Sequence, residues 1–396
     1  MRNILKISLL YLLLGTLTFT CITPLDLQFD EAKNILVIEG FITDKSGPHL
    51  ISISTTAVYG SVFDGVVVPE KNAKVAIRDS DGLITILKDS IQLVPDFVDG
   101  CGLYPRMTEG SCSLLFEKFA GYKTPDGFKA EEGKEYTLLI ETRDGNSYTS
   151  LPQQLVSGPS LEKIEYEFVE QITAGNEVSV TGFEFYGISD DELKENFFTW
   201  NLKYTYRYTS NFEEFNCNMP PSTFPIGYFT KLASCNIETL HGTNGGKTCC
   251  GTCFITEKSN EVVIANDRLS NGRDQYNYVG FISNDGITFS DRMHVNVEQL
   301  NISKEAYQFY KIFKSQLEIG GGIFDPPPAT ITGNLIDLNN PETETIGFFG
   351  VFSSSKKNVY LTNNDLPETH RTVRVIKDDC RRYKKGTVNK PVYWID

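Results

Sequence analysis

The sequence predicts an all-β protein made of two immunoglobulin-like β-sandwich units, with one packed helix in its C-terminal half. Three observations support this fold class. Short alternating or apolar stretches recur between turn residues along the 396-residue chain. Phenylalanine and tyrosine, with 26 and 19 copies, suit half-buried sheet surfaces. One stretch stands out because its apolar residues recur at helical spacing. The length exceeds that of one ordinary core and indicates more than one unit.

The N-terminal β-sandwich is predicted over residues 35–151. The turn signals Asp79-Ser80-Asp81-Gly82 and Asp144-Gly145 each separate two strands, as in β-hairpins. Strands are expected at residues 35–43, 49–56, 73–79, 83–87, 136–142 and 147–149. Residues 152–159 have a proline at each end and are predicted to be a linker.

The C-terminal β-rich domain is predicted over residues 160–396, with a cysteine-bearing insertion at about 210–255. Strands are expected at residues 161–168, 197–209, 262–264, 276–282, 293–300 and 347–352. Ser303 is a good N-cap, and the glycines at 320–322 end the apolar periodicity that follows it. The pattern predicts a helix at about residues 303–319, packed on a sheet.

The N-terminus has the features of a lipoprotein export signal. Arg2 and Lys6 precede an uncharged apolar run that is too short to span a bilayer comfortably. We expect residues 1–20 to be a cleaved signal peptide, Cys21 to receive a lipid anchor, and residues 21–34 to be a tether. The alternative is an ordinary secretory signal with a chance cysteine close to the cleavage point.

Composition and motifs argue against several functions. The formal charge of −14 makes nucleic acid a poor partner. The four histidines, at positions 49, 241, 294 and 370, form no His-Glu-x-x-His motif, and no Gly-x-Ser-x-Gly nucleophile elbow is present. We expect no enzyme activity, no cofactor and no metal. Paired acids for glycoside hydrolysis remain an open alternative, because spacing in the sequence does not test them.

Nine cysteines in an exported chain indicate disulfides. If Cys21 takes the lipid, an even set remains as disulfide candidates: Cys101, Cys112, Cys217, Cys235, Cys249, Cys250, Cys253 and Cys380. The first two close a short loop and are expected to pair. The cysteines between 217 and 253 are expected to bond within the insertion, so Cys380 either reaches back to the middle of the chain or stays free. A metal site on Cys250-x-x-Cys253 is the weaker alternative.

Several short motifs together resemble a known family. They are Leu36-Val37-Ile38-Glu39-Gly40, Asn72-Ala73-Lys74-Val75, Asp79-Ser80-Asp81-Gly82, Ala306-Tyr307-Gln308-Phe309-Tyr310, Phe324-Asp325-Pro326-Pro327-Pro328, Gly333-Asn334, Gly347-Phe348-Phe349, Asp379-Cys380, Gly386-Thr387 and Lys390-Pro391-Val392-Tyr393-Trp394. In their order and spacing they resemble a Bacteroidota outer-membrane lipoprotein family, named as domain of unknown function forty-two forty-nine. The resemblance extends over nearly the whole mature chain.

The resemblance implies an outer-membrane lipoprotein, commonly encoded near TonB-dependent, nutrient-uptake receptors, and it supplies no catalytic residues. The family tail often has a second cysteine a few residues after the first. Here Tyr383 stands near that place, so a longer-range bond for Cys380 is favoured.

Three functions follow from these expectations. The first is a non-catalytic accessory or binding subunit of an outer-membrane β-barrel receptor. The second is a surface module for glycan or peptide, with Tyr204, Tyr206 or Trp394 as a stacking platform. The third is an unrecognised hydrolase. Acids at 26, 30 and 31 resemble a surface-export signal, so we expect the lipid-anchored chain on the outer membrane, with exposure at the cell surface favoured.

Overall fold

The computed structural model describes residues 35–56, 67–96, 114–172, 179–190, 194–211, 251–270, 272–318, 331, 333–377, 380–384 and 386–395. Cys21, the signal peptide and the tether lie outside these residues. Among the helices in the described part of the chain, none is both long and apolar enough to cross a membrane.

The described residues are mostly β-strand, which confirms the predicted all-β class. The strands are β1 (Leu36–Thr43), β2 (Leu50–Thr56), β3 (Val67–Pro69), β4 (Lys74–Asp79), β5 (Ile84–Ile86), β6 (Lys88–Asp96), β7 (Leu114–Lys123), β8 (Glu135–Glu141), β9 (Ser147–Ser150), β10 (Gln153–Gln154), β11 (Leu161–Ile172), β12 (Ser179–Ser189), β13 (Phe197–Thr209), β14 (Thr252–Lys258), β15 (Ile264–Asn266), β16 (Gln275–Ser283), β17 (Arg292–Asn301), β18 (Leu335–Asp337) and β19 (Thr345–Thr362). The one α-helix among the described residues is α1 (Lys304–Leu317).

A ten-stranded sheet forms the centre of the fold, in the order β14-β13-β17-β19-β1-β2-β7-β6, with β15 on β13 and β3 on β2. The 18-residue strand β19 links its two halves. Residues 345–352 pair in parallel with β1, and residues 353–362 pair antiparallel with β17. Because β19 joins both halves, the central sheet has no break that corresponds to the predicted linker at 152–159.

Two smaller sheets cover the same side of this central sheet and make two sandwiches. The six-stranded sheet, β18-β9-β8-β4-β5 with β10 on β8, shares a core with β1, β2 and β19. The three-stranded sheet, β11-β12-β16, shares a second core with β13, β17 and the end of β19. Large buried aromatics such as Phe183, Phe198 and Phe349 fill these cores. Burying such side chains is the main source of stability in these cores.

The helix α1 confirms the sequence prediction in both position and packing. The Ser303 hydroxyl caps it by accepting a hydrogen bond from the Ala306 backbone N–H at 3.1 Å. Ala306 is fully buried against Phe348 and Phe352 of β19, in a third and smaller apolar cluster. Phe41 of β1 also packs in this cluster, so α1 covers the side of the central sheet that the two smaller sheets leave open.

Two glycines of the family motifs allow three backbone segments to meet. A Cβ on Gly333 would collide with the Gly347 carbonyl oxygen, and a Cβ on Gly347 would collide with that of Ile38. Beside this contact, the Asn334 side chain accepts from the Phe349 N–H at 2.9 Å and donates to the Phe349 carbonyl at 2.8 Å. The buried amide thus replaces a strand neighbour for one residue of β19.

Candidate functional site

A groove of about 780 Å³ lies on the open side of the central sheet, next to the α1 cluster. Strands from both halves of the chain form it, because β1, β2 and β7 contribute from one side and β14, β17 and β19 from the other. Its lining residues with polar or charged side chains are Glu39, Thr43, Lys45, Ser46, His49, Ser52, Ser54, Lys118, Lys258, Glu298 and Lys356. Ligand sites in proteins commonly have volumes in this range.

The turn between β1 and β2 forms one wall of the groove and is fixed at several points. Asp44 accepts a hydrogen bond from the Ser354 backbone N–H at 2.8 Å, which ties the turn to β19. The Thr124 hydroxyl accepts from the His49 N–H at 2.8 Å, and the Phe128 carbonyl accepts from the Gly47 N–H at 2.7 Å. These bonds fix the wall before any ligand arrives, which lowers the ordering cost of binding.

The charged groups of the groove differ in how they are neutralised. Glu298 bonds Lys356 at 3.2 Å and also accepts from the Ser354 hydroxyl and the Asn201 amide. Lys45 pairs with Asp44 of the same turn at 2.7 Å. The Glu298 carboxylate therefore has all its oxygens engaged and stabilises the sheet where β13, β17 and β19 meet.

Glu39 lies on β1 at the edge of the groove that faces the helix. Burial, and then the negative charge of Glu39, raise the pKa of Tyr310 on α1 to about 12. The Tyr310 hydroxyl is therefore protonated at neutral pH. Glu39 therefore lies near Tyr310 of the helix and also lines the groove, together with the four lysines.

His49 is the titratable group of the groove that is sensitive near neutral pH. Burial lowers its pKa, and this effect exceeds the opposing one of the hydrogen bond that its Nε2 donates to the Phe128 carbonyl at 3.2 Å. The folded protein consequently holds His49 in its neutral form at neutral pH.

We expect this His49 burial to make the folded state less stable in mild acid. As pH falls below about 6.5, the unfolded chain takes up the proton before the folded chain does, so the free energy of unfolding decreases. His49→Gln keeps an N–H donor for Phe128 but removes the titration. Thermal unfolding at pH 7.5 and 5.5 should show a smaller loss of melting temperature for this variant than for the unaltered chain. Equal losses would assign the acid sensitivity to other groups, such as His294, whose pKa burial also lowers.

One candidate disulfide lies within the described residues and joins Cys253 to Cys380. Cys380 thus reaches back to the middle of the chain, and Cys253 bonds outside the insertion rather than within it. Tyr383, near the place of the family's second tail cysteine, donates a hydrogen bond to Asp285 at 2.8 Å and packs on Tyr208. The remaining predicted cysteines lie outside the described residues: Cys21, Cys101, Cys112, Cys217, Cys235, Cys249 and Cys250.

The predicted aromatic stacking platform is wrong for two of its three residues. Tyr206 is fully buried in the core that β13 shares with the three-stranded sheet, and Trp394 is 4% exposed between Phe254 and Tyr360. Tyr204 is half-buried and stacks on Tyr206. The alternation along β13 correctly put these tyrosines on one face, but that face points into a sandwich rather than to solvent.

A different aromatic pair, of an exposed Tyr276 and a half-buried Tyr186, has no counterpart in the sequence prediction. Tyr186 and Tyr276 stack with ring centroids 4.7 Å apart on the outer face of the three-stranded sheet. The Tyr186 hydroxyl lies 2.6 Å from a Glu184 oxygen and 3.1 Å from a Glu167 oxygen, so its one proton is shared between the two carboxylates. These two glutamates are directly opposite on β12 and β11, so the tyrosine offsets a repulsive cross-strand pair.

The groove has no recognisable signal in the sequence. Its polar side chains come one or two at a time from several strands, and each looks like the solvent face of an ordinary strand. Across the described ranges, no three His, Cys, Asp or Glu side chains are grouped so as to hold a metal ion.

A family model described as a domain of unknown function, DUF4249, matches residues 22–358. The tail motifs from Asp379 to Trp394 lie beyond this match. Neither the curated proteins nor the solved structures contain a match to the chain.

Proposed function

We propose that this chain, which belongs to the DUF4249 family, is a non-catalytic binding subunit. In this proposal it is lipid-anchored at Cys21 and associated with a nutrient-uptake receptor of the outer membrane. The groove on the central sheet is the observation that favours a binding role. It has the volume of a ligand site, a hydrogen-bonded wall, and lining residues from both halves of the chain.

The chemistry of the groove favours binding over catalysis. A general base or nucleophile acts through an atom that is free to reach the substrate. Glu298 has its oxygens occupied by Lys356, Ser354 and Asn201. Apart from Glu39, the groove presents hydroxyl and ammonium groups, which suit reversible recognition of a polar ligand.

The lipid anchor is tested by replacing residues 1–20 with an ordinary cleavable secretory signal and changing Cys21→Ala. We expect more than about 90% of this chain to move from the membrane fraction to the soluble fraction, since acyl chains contribute about 0.8 kcal/mol per buried methylene. The unaltered chain, fractionated in parallel, is the control. An altered chain that stays with membranes after a high-salt wash, with no co-purifying partner, would contradict the anchor.

The receptor association is tested by affinity purification of the full-length chain from native membranes in mild detergent. We expect a large β-barrel receptor to co-purify in near-stoichiometric amount and to be identified by mass spectrometry. Protease treatment of intact cells, in the same strain, reports whether the chain faces the outside. Recovery of the chain alone from several gentle detergents would count against an accessory role.

Hydrolysis of a glycan is the second candidate function, because Glu39 and Glu298 both line the groove. Prolonged incubation with oligosaccharides distinguishes the two. New reducing ends that Glu39→Gln abolishes would favour hydrolysis, whereas unchanged oligosaccharides favour binding.

A further inference from the structure

The groove concentrates positive charge on an acidic chain. Four lysines line it, at positions 45, 118, 258 and 356, together with two glutamates, whereas the whole chain has a formal charge of −14. Charge of one sign gathered in a concave site attracts ligands of the opposite sign. The excess of lysines over glutamates in the groove therefore indicates a negatively charged ligand, which the acidic remainder of the chain would repel.

Two of these lysines have no carboxylate partner among the described residues. Lys356 and Lys45 are neutralised by Glu298 and Asp44. No such ion pair engages Lys118 on β7 or Lys258 at the end of β14, and both side chains are exposed. They come from opposite halves of the chain, so they mark two separate positions at which a ligand can present an anion.

Hydroxyl groups lie in the same groove as these two ammonium groups. Within the described part of the chain, the side-chain oxygens of Ser46 and Ser52 have no protein hydrogen-bond partner, and both residues line the groove. His49 also lines the groove, and its ring donates from Nε2 to the Phe128 carbonyl. The groove thus offers donors and acceptors for a ligand with hydroxyl groups as well as charges.

An acidic peptide fits this groove less well than a sugar chain does. Peptides that add to sheets bind at a free edge through backbone hydrogen bonds. The groove lies on a sheet face, where β1 is already paired on both sides by β2 and β19. Recognition must therefore come from side chains, which suits a ligand with many hydroxyls.

We infer that the groove binds an acidic glycan, in which carboxylate or sulfate groups on the sugar rings contact Lys118 and Lys258 and ring hydroxyls contact Ser46 and Ser52. This inference rests on the proposed binding function and names its ligand class. The shared chemistry is a sugar chain with spaced negative charges.

The test is calorimetric titration of the full-length chain in detergent with four probes: oligogalacturonate, dextran sulfate, neutral dextran and polyglutamate. We expect one or both acidic glycans to bind. Their affinity should decrease as the salt concentration is raised from about 50 to about 300 mM, because salt screens the charges. The Lys118→Glu/Lys258→Glu variant should lose at least about tenfold in that affinity. Lys129→Glu/Lys311→Glu is the matched control, because these two exposed lysines do not line the groove. Circular dichroism and melting temperature verify that both variants fold.

Each outcome decides the inference, and it does so separately from the proposed function. Preference for carboxylate or for sulfate identifies the source of the charge and supports the inference in either case. Equal binding of neutral dextran, tighter binding of polyglutamate, or equal losses in the two variants overturns it. If no glycan binds while a barrel receptor co-purifies, the inference fails and the accessory function stands. If acidic glycan binds and no receptor co-purifies, the inference stands and the accessory function fails.

Discussion

Gly347→Ala is expected to leave little folded protein. The residue lies on β19 at the point where this strand starts its parallel pairing with β1, and its φ is 132°. A residue with a Cβ is strained in that conformation by about 1–3 kcal/mol. The Cβ would also overlap the Ile38 carbonyl oxygen, which is held in the sheet. We expect the free energy of unfolding to fall by at least about 4 kcal/mol, because few single changes combine both penalties.

Gly82→Ala is the matched control for this prediction. Gly82 also has a positive φ, of 84°, in the hairpin turn after β4, but a Cβ there would meet nothing within 4 Å. It should cost only about 1 kcal/mol for the backbone conformation. Urea unfolding followed by circular dichroism measures both variants. Similar losses at the two glycines would mean that β19 moves away from Ile38 at little cost, and that the close approach is not essential.

Removing the Cys253–Cys380 disulfide has the second-largest expected effect on stability. The bond joins residues 127 apart in sequence and ties the C-terminal segment to β14. A bond across so long a loop restricts the unfolded chain strongly, and its loss typically costs about 2–5 kcal/mol. Both cysteines are fully buried. The paired Cys253→Ala/Cys380→Ala variant is used because a single change would leave the other cysteine as an unpaired thiol.

The same variant distinguishes local from global loosening. Thr387 forms backbone hydrogen bonds with Phe254, the residue next to Cys253, at 2.7 and 2.9 Å. Hydrogen exchange should therefore increase first at the segment after Cys380 and at β14, while β1 and β2 stay protected. A variant that unfolds at the same urea concentration as the unaltered chain would show that other contacts hold the tail.

Local features of the fold were predictable from the sequence because local chemistry determines them. The N-cap at Ser303 and the turn at Asp79–Gly82 appear where they were expected, since their hydrogen bonds form between near neighbours. The alternation of β13 was also correct. Its exposure was not, because the segment with Tyr383 and Lys384, which lies against tyrosines of β13, is distant in sequence.

The sheet order and the groove could not be predicted in this way. β1 lies between β2, its neighbour in sequence, and β19, which is distant in sequence. Leu36 of β1 pairs with Thr345 of β19. No periodicity in either segment specifies the other as a partner. The groove depends on the same pairing, because it brings Lys356 and Glu298 beside the turn after β1. The requirement for glycine at positions 333 and 347 is likewise set by close backbone contacts between distant segments, which the sequence does not reveal.

The parallel pairing of β1 with β19 affects how the chain folds during synthesis. Among the described strands, the first to be synthesised is completed by the last, since Leu36 must wait for Thr345. Until then β1 has an unpaired edge, and unpaired edges of apolar strands are sites of aggregation and proteolysis. Such long-range pairing is also slow to form. We therefore expect the N-terminal half to stay prone to aggregation until residues 345–352 are available to pair with β1.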